Sequence, residues 1–508
     1  MKRMRTRHWM TAGLAALLLS ACGDGGVDLA EGGITGSGIS VGPITGFGSI
    51  WVGGVHFDVS NAEFIRNGQS TGETQSAFQI GEMVSITGEV NPDGISGVAT
   101  RVEFDRDLAG MVTAVSTDGT TIEIMGQTVR ADELTILSGF NSLSSLQLGN
   151  VMEVSGIRGA DGILMASTIT LDQGSFVASL STLEVEGRVS ELNPDDLTFK
   201  IGKLVVDYAQ AVLPDISKGI TAGEYLEIKS NLNLQNGVLK ASALRQDQEY
   251  PSFTTDSFVR LEGRITQFSN TGVFSVTGQP VSLTPDTVID NGSLDDLGLG
   301  ILLGVEGVID EHGVLEADRL SIRQSADPTS LVELQGTIEG IDAENQTLQL
   351  QGEPVRIDSN TLMLDWQSGG KQTLTFAGLS TGDAINMAGR RLASGEILAL
   401  RLDRGLPKAD DTDSTNTDTN TDDAGTSTGG TSKIHGLASQ VDTASHRLVI
   451  AGVTVITDTH TVYRNTGRSL ERDAYFSLLQ SGQSMVMATG KRTANQQLLA
   501  RELKLLTE

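Results

Sequence analysis

Gly81, Gly149, Gly223, Gly300, Gly382 and Gly482 are each followed by apolar residues at the third and fifth places. The pairs are Val84 and Ile86, Met152 and Val154, Leu226 and Ile228, Leu303 and Val305, Ile385 and Met387, and Met485 and Met487. Apolar residues two apart after a glycine predict a half-buried strand leaving a turn. Tight turns follow at Asp93-Gly94, Asp161-Gly162, Asn236-Gly237, His312-Gly313 and Ser394-Gly395. Asp-Gly and Asn-Gly accept the positive φ angles that hairpins need. A second strand then opens with an apolar residue and, two on, an alanine: Leu164 and Ala166, Leu239 and Ala241, Leu315 and Ala317, Ile397 and Ala399, Leu498 and Ala500. The first copy reads Gly97-Val98-Ala99 instead.

Each of these hairpins is preceded by another. A strand starts at Gly42, Gly110, Gly187, Gly263, Gly336 and Gly436, and a Gly-x-x-Val turn follows at Gly126, Gly202, Gly278, Gly352 and Gly452. Successive starts lie 68, 77, 76, 73 and 100 residues apart, and the last interval holds the extra stretch 406–433. The order per unit is a strand, a hairpin, a variable crossing and a second hairpin. Five strands with an insertion between the third and fourth is the order of an OB-like barrel. The expected fold is all-β: six small five-stranded OB-like barrels in tandem, over 38–105, 106–172, 173–247, 248–324, 325–405 and 434–508. β-Sandwich domains need about seven strands and about 100 residues each.

The run Ile44-Thr45-Gly46-Phe47-Gly48-Ser49-Ile50, followed by Gly54-Val55-His56-Phe57-Asp58, resembles the start of the bacterial repeat known as domain of unknown function 5666. The later Gly-x-x-Val, Leu-x-x-Gly and Asp-Gly-x-Leu-x-Ala signatures are similar to that family too. The likeness covers most of 38–405 and 434–508, with the third and sixth copies furthest from the pattern. It implies architecture and export, and no chemistry.

The N-terminus has the layout of a cleaved export signal. Lys2, Arg3, Arg5 and Arg7 precede the short apolar run 14–19, which is too short to span a bilayer. Leu19-Ser20-Ala21-Cys22 resembles the lipobox of bacterial lipoproteins, which implies removal of 1–21 and acylation of Cys22, the chain's one cysteine. Several acyl chains on one residue anchor a protein firmly. Gly23 at the next position, with Asp24 one place later, leans towards the outer membrane of a Gram-negative envelope. The glycine-rich stretch 22–37 reads as a flexible tether, and the Asp- and Thr-rich stretch 406–433 as a disordered acidic spacer.

A single cysteine excludes an internal disulfide and a cysteine-rich zinc site. With 64 acidic against 36 basic residues and a net charge of −28, nucleic acid is not an expected partner. Asp58, Asp132, Asp207, Asp358 and Asp458 recur just after the third strand, where an aspartate ends a strand by bonding a nearby backbone N–H. Asp418, Asn420 and Asp422 imitate the start of an EF-hand loop, but Asp423 takes the glycine position and Gly429 the place of the final glutamate. His56, His312, His435, His446 and His460 match no metal spacing. No nucleophile elbow, P-loop or zinc-protease motif is present, so neither an enzyme nor a cofactor or metal is expected. Trp51 follows Ile50 in a strand and is expected in a core. Trp366, beside Gln367-Ser368-Gly369-Gly370-Lys371 in the fifth crossing, is the one candidate ligand contact.

These readings predict a monomeric, non-catalytic envelope lipoprotein, held to the membrane by Cys22. Its barrels would form an extended scaffold or binding arm for an unidentified envelope protein or glycan. The alternative is an oligosaccharide or small-ligand binder that uses barrel surfaces.

Overall fold

The computed structural model describes residues 37–405 and 432–506, apart from 71, 73, 118, 179, 215, 217–218, 270–273, 326–329, 368–370, 451–452, 466–467, 482–483 and 494–496. Cys22, the leader before it, the tether up to 36 and the spacer from 406 to 431 lie outside the described residues.

The first unit shows how the pattern closes. Its five strands are Ser37–Phe47, Ile50–Val52, Val55–Asp58, Met83–Val90 and Ser96–Phe104. The first pairs antiparallel with the second and the second with the third. The third runs parallel to the fifth, the fifth antiparallel to the fourth, and the fourth returns to the first. The sheet is thereby a closed five-stranded barrel with the OB-like strand order. Residues 108–173, 258–322, 331–404 and 432–506 close through the same pairings, including the parallel third and fifth strands. Residues 183–246 follow the order with the fifth strand broken into Val238–Lys240 and Ala243–Gln246.

Four of the second–third hairpins turn on Gly53-Gly54, Met125-Gly126, Thr277-Gly278 and Gln351-Gly352, with positive φ at both positions. These are the mirror-image turns whose twist matches that of the flanking strands. Alternation then sorts side chains. Ile50, Val52, Val55 and Phe57 are buried, while Trp51 and His56 stand on the outer face with their rings stacked 4.5 Å apart. The expectation that Trp51 lies in a core fails for this reason: its two neighbours take the inward positions. In the last barrel the inward pair is Val486 and Ala488, one register on from the pair predicted after Gly482.

The two hairpins of each barrel are locked by a contact between motifs that look unrelated in sequence. A β-bulge in the fifth strand places Gly88, Gly156, Gly307, Gly389 and Gly490 of the fourth opposite Ala99, Ala166, Ala317, Ala399 and Ala500. A β-carbon on any of these glycines would overlap the backbone of the fifth strand. On the other side, Thr135, Thr287, Thr361 and Thr461 donate their hydroxyls to the carbonyls of Ala166, Ala317, Ala399 and Ala500 at 2.6–2.9 Å. Ser230 occupies the bulge position in 183–246, where the fifth strand breaks.

The crossing between third and fourth strands is more regular than its variable length predicts. It carries a short strand parallel to the fifth, such as Glu63–Arg66 or Leu362–Asp365, and then a single 3₁₀ turn, such as Gln75–Ala77 or Leu143–Ser145. The last barrel uses an α-helix here, Arg472–Leu478, with Tyr475 and Phe476 buried beneath it.

The barrels are not separate beads. The leading half of the first strand pairs with the fourth strand on one side only, which leaves its other edge open to further pairing. In the first barrel this half runs parallel to its counterpart in the fourth, from Gly38 beside Phe258 to Val41 beside Leu261. The second barrel pairs with 183–246 through Ala109 and Glu184, and the fifth with the last through Glu333 and Lys433. Most barrels keep their own hydrophobic core, but the second shares one with 183–246. A small apolar cluster of Ile80, Ile136, Leu362 and Leu364 joins the first, second and fifth barrels.

Candidate functional site

The repeated aspartates end strands, as the sequence predicts. Asp58, Asp132, Asp207, Asp358 and Asp458 each accept a hydrogen bond from the backbone N–H two residues on, at 2.8–3.0 Å. The Ser60 hydroxyl holds the Asp58 carboxyl below its ordinary range, and the His460 N–H does so for Asp458. Two of the five also clamp barrels together. Asp132 meets Arg264 of the fourth barrel at 2.6 Å, and Asp358 meets Arg323 of the fourth at 2.8 Å.

These clamps surround the junction of the first, second, fourth and fifth barrels. A cavity of about 70 Å³ lies there, lined by Thr45, Asp132, Ile136, Glu262, Arg264, Arg323 and Leu362 among others. Glu262 is buried in its wall, and burial raises its carboxyl pKa.

A ladder of ion pairs runs along a second seam. Glu82 pairs with Arg66, Arg66 with Glu153, Glu153 with Arg106, Arg106 with Glu184, and Glu184 and Glu227 with Lys229. It links the first barrel, the second and 183–246. Oxygens of Glu184, Glu186 and Glu227 lie within 4.8 Å of one another, close enough to share a cation. Lys229 and Arg106 already neutralise two of the three. Burial first, and then Asp107, Asp247 and Glu184, push the Glu186 carboxyl up to about 10. Burial pushes Asp107 up to about 6.

The histidines do not converge among the described side chains. His56 stacks on Trp51, His312 stands in its turn beside Asp310, His446 bonds Asp473 at 2.7 Å, and His460 stands exposed beside Asp458. The EF-hand-like residues 418–422 and Cys22 lie outside the described residues.

Trp366 sits in the wall of a cleft between the second and fifth barrels. The cleft has a volume of about 420 Å³ and is lined by Phe140, Asn141, Trp366, Lys371, Arg401 and Asp403, with the backbone run 137–139. Trp366 is half-buried; its indole Nε1 donates to Asp403 Oδ1 at 3.3 Å, and its ring packs on the apolar cluster between barrels. Arg401 fixes the seam by donating from Nη1 to the carbonyl oxygens of Glu133 and Thr135, at 3.4 and 2.9 Å. Its Nε lies 2.9 Å from Asp403 Oδ2. Lys371 completes the wall. Its ammonium is covered and has no hydrogen-bond partner among the described residues. Desolvation, and then the charge of Arg401, lower its pKa. Sequence reasoning singled out Trp366 and named Lys371 only as its neighbour in the chain; it missed Arg401 and Asp403, which the fifth strand of the same barrel brings alongside, and Phe140, which comes from the second barrel. The fifth crossing carries a hairpin from Leu362–Asp365 to Gln372–Thr373, as the first and last crossings do from Glu63–Arg66 to Gln69–Ser70 and from Val462–Asn465 to Arg468–Leu470.

The sequence profile described as Domain of unknown function (DUF5666) matches residues 41–103, 109–170, 262–321, 335–403 and 435–504. The chain belongs to this family. Each family match falls on a barrel that carries the bulge glycine, and 183–246, which lacks it, lies between the second and third matches. No curated protein matches the chain. Among solved structures it is similar to drosophila Unr CSD456, at 10% identity over 43% of this chain and 95% of that one. The TM-score of that comparison is 0.10, too low to carry an argument about fold or function. No helix among the described residues is long and apolar enough to cross a membrane.

Proposed function

We propose that this family member is a non-catalytic, lipid-anchored envelope protein that binds an oligosaccharide or other small ligand in the cleft between its second and fifth barrels. The observation that carries the reading is the cleft itself: an aromatic wall, two cations and one carboxylate, set on strands that the interbarrel clamps hold in place. Ligand sites are usually concave, apolar and furnished with a few fixed polar groups, with volumes of about 300–1,000 Å³. The cleft fits that description at about 420 Å³. An extended binding arm, the other reading, is less favoured because shared sheet edges and the four-barrel junction shorten its reach.

An oligosaccharide array probed with the full chain in detergent tests the reading. Binding should be present, and Trp366→Ala should weaken it at least tenfold without lowering the melting temperature by more than a few degrees. A blank array, or binding that is indifferent to the substitution, would instead favour the scaffold reading.

The anchor is tested separately. Cells fed a palmitate analogue should label the wild-type protein, and Cys22→Ser should abolish both the label and membrane retention. Equal labelling of the two would remove the lipoprotein reading. We place the protein at the outer membrane of a Gram-negative envelope on the strength of Gly23 after the cysteine.

A further inference from the structure

The cleft beside Trp366 contains a positive charge that the protein itself does not answer. A buried polar group normally finds a partner, and a buried charge nearly always does. Lys371 Nζ has none among the described residues. Asp403, the carboxylate that lines the cleft, is shared between Arg401 Nε and the Trp366 indole. Glu82 also acts on the Lys371 ammonium through space, but its two oxygens are taken up by Arg66 at 2.9 and 3.1 Å. The cleft therefore holds two cations against one committed anion, in a chain whose net charge is −28. An excess of one positive charge calls for a monoanion.

The rest of the wall says what carries that charge. A free carboxylate would leave most of about 420 Å³ empty. The faces of Trp366 and Phe140 offer flat apolar surface, and Ser138 and Asn141 supply a polar rim. A sugar ring presents C–H bonds to an aromatic face and hydroxyls to polar neighbours, with its carboxylate at one edge. The Lys371 stem is flexible enough for its head to turn towards such a group.

We infer that the ligand of this cleft is a carboxylate-bearing sugar, its ring laid on Trp366 and its carboxylate paired with Lys371; the inference rests on the ligand-binding reading above. A phosphate monoester offers more charge and a sulfate ester the same charge on a tetrahedral group, and both serve as competitors in the test.

Calorimetric titration of the full chain in detergent, with uronic-acid and sialic-acid oligosaccharides and their carboxyl-reduced counterparts, decides the matter. The carboxylated forms should bind at least tenfold more tightly than the reduced ones. Lys371→Met should erase that preference, and Lys371→Arg should retain it. Melting curves of both variants guard against misfolding, and the methionine variant should melt no lower than the wild type because it removes an unpaired buried charge. Equal binding of acid and reduced forms, tighter binding of a phosphorylated sugar, or a preference that survives in Lys371→Met would overturn the charge assignment and leave the cleft as a ligand site. Failure of every sugar, charged or neutral, would take down both readings.

Discussion

Gly307→Ala should destabilise the protein by at least about 3 kcal/mol, whereas Gly313→Ala, six residues away in the same hairpin, should cost about 1 kcal/mol. The contrast separates two uses of glycine. Gly313 sits in the turn with φ of 77° and open space around the missing β-carbon, so a side chain there meets only conformational strain. Gly307 lies in the fourth strand, paired with Val259 on one side and, past the bulge, with Ala317 on the other. A β-carbon at 307 would overlap the Glu316 carbonyl oxygen and the backbone of Ala317. Those are backbone atoms of a central strand and cannot swing away as a flexible side chain does. Relieving the overlap means parting the fourth strand from the fifth, which opens the barrel.

The consequences spread because of what the fourth barrel holds. Its first strand pairs with the first barrel, Arg264 reaches Asp132 of the second, and Arg323 reaches Asp358 of the fifth. Loss of the closure between the fourth and fifth strands would release all three contacts. Chemical denaturation of the two variants, followed by circular dichroism, checks the prediction. A Gly307→Ala variant as stable as Gly313→Ala would mean that the bulge is not a point of closure.

Much of the barrel was legible because its determinants are local and repeat. Gly-x-x-Val marks a turn with two positive φ angles, and the apolar pair after Gly149 marks an inward face. Both signals lie within a few residues of what they specify. The bulge glycine was equally present in the sequence, but its meaning depends on the alanine across the ladder, as with Gly156 and Ala166. The Asp132 Asx-turn could be read from its neighbours; its pairing with Arg264 could not, since the partner lies 132 residues away and no period points to it. The same holds for the cleft. Trp366 stands out as a rare residue, whereas Arg401 reaches it only through strand pairing within the fifth barrel and Phe140 only after two barrels have packed.

Stability should be greater near pH 5 than at pH 8, and Glu186→Gln should remove a large part of that difference. Glu186 lies beside Asp107, Asp247 and Glu184, and burial pushes its carboxyl up to about 10. Glu184 and Glu133 are also raised, in each case by burial first. In the unfolded chain a glutamate titrates near about 4.3. Between that value and the raised one, the folded protein keeps a proton that the unfolded chain has released, so unfolding becomes more favourable as pH rises. One fully retained proton corresponds to about 1.4 kcal/mol per pH unit, or about 4 kcal/mol from pH 5 to pH 8, as an upper bound for Glu186 alone. The turn aspartates act in the opposite sense. Asp58, Asp93, Asp342 and Asp442 have carboxyl pKa values lowered by hydrogen bonds from neighbouring serine or asparagine residues. Their contribution is present above the ordinary aspartate value and is lost as pH falls through the lowered one, so it shapes only the strongly acidic side. General repulsion within a chain of net charge −28 also weakens on acidification, but salt screens it and leaves buried groups largely untouched. Denaturation midpoints measured at pH 5 and pH 8 in low and high salt therefore isolate the buried term. Glu186→Gln should be more stable than the wild type at pH 8 and nearly equal to it at pH 5, at either salt concentration. A wild-type pH difference that vanishes in high salt, or a variant with an unchanged profile, would show that surface repulsion and not this buried carboxylate sets the pH response.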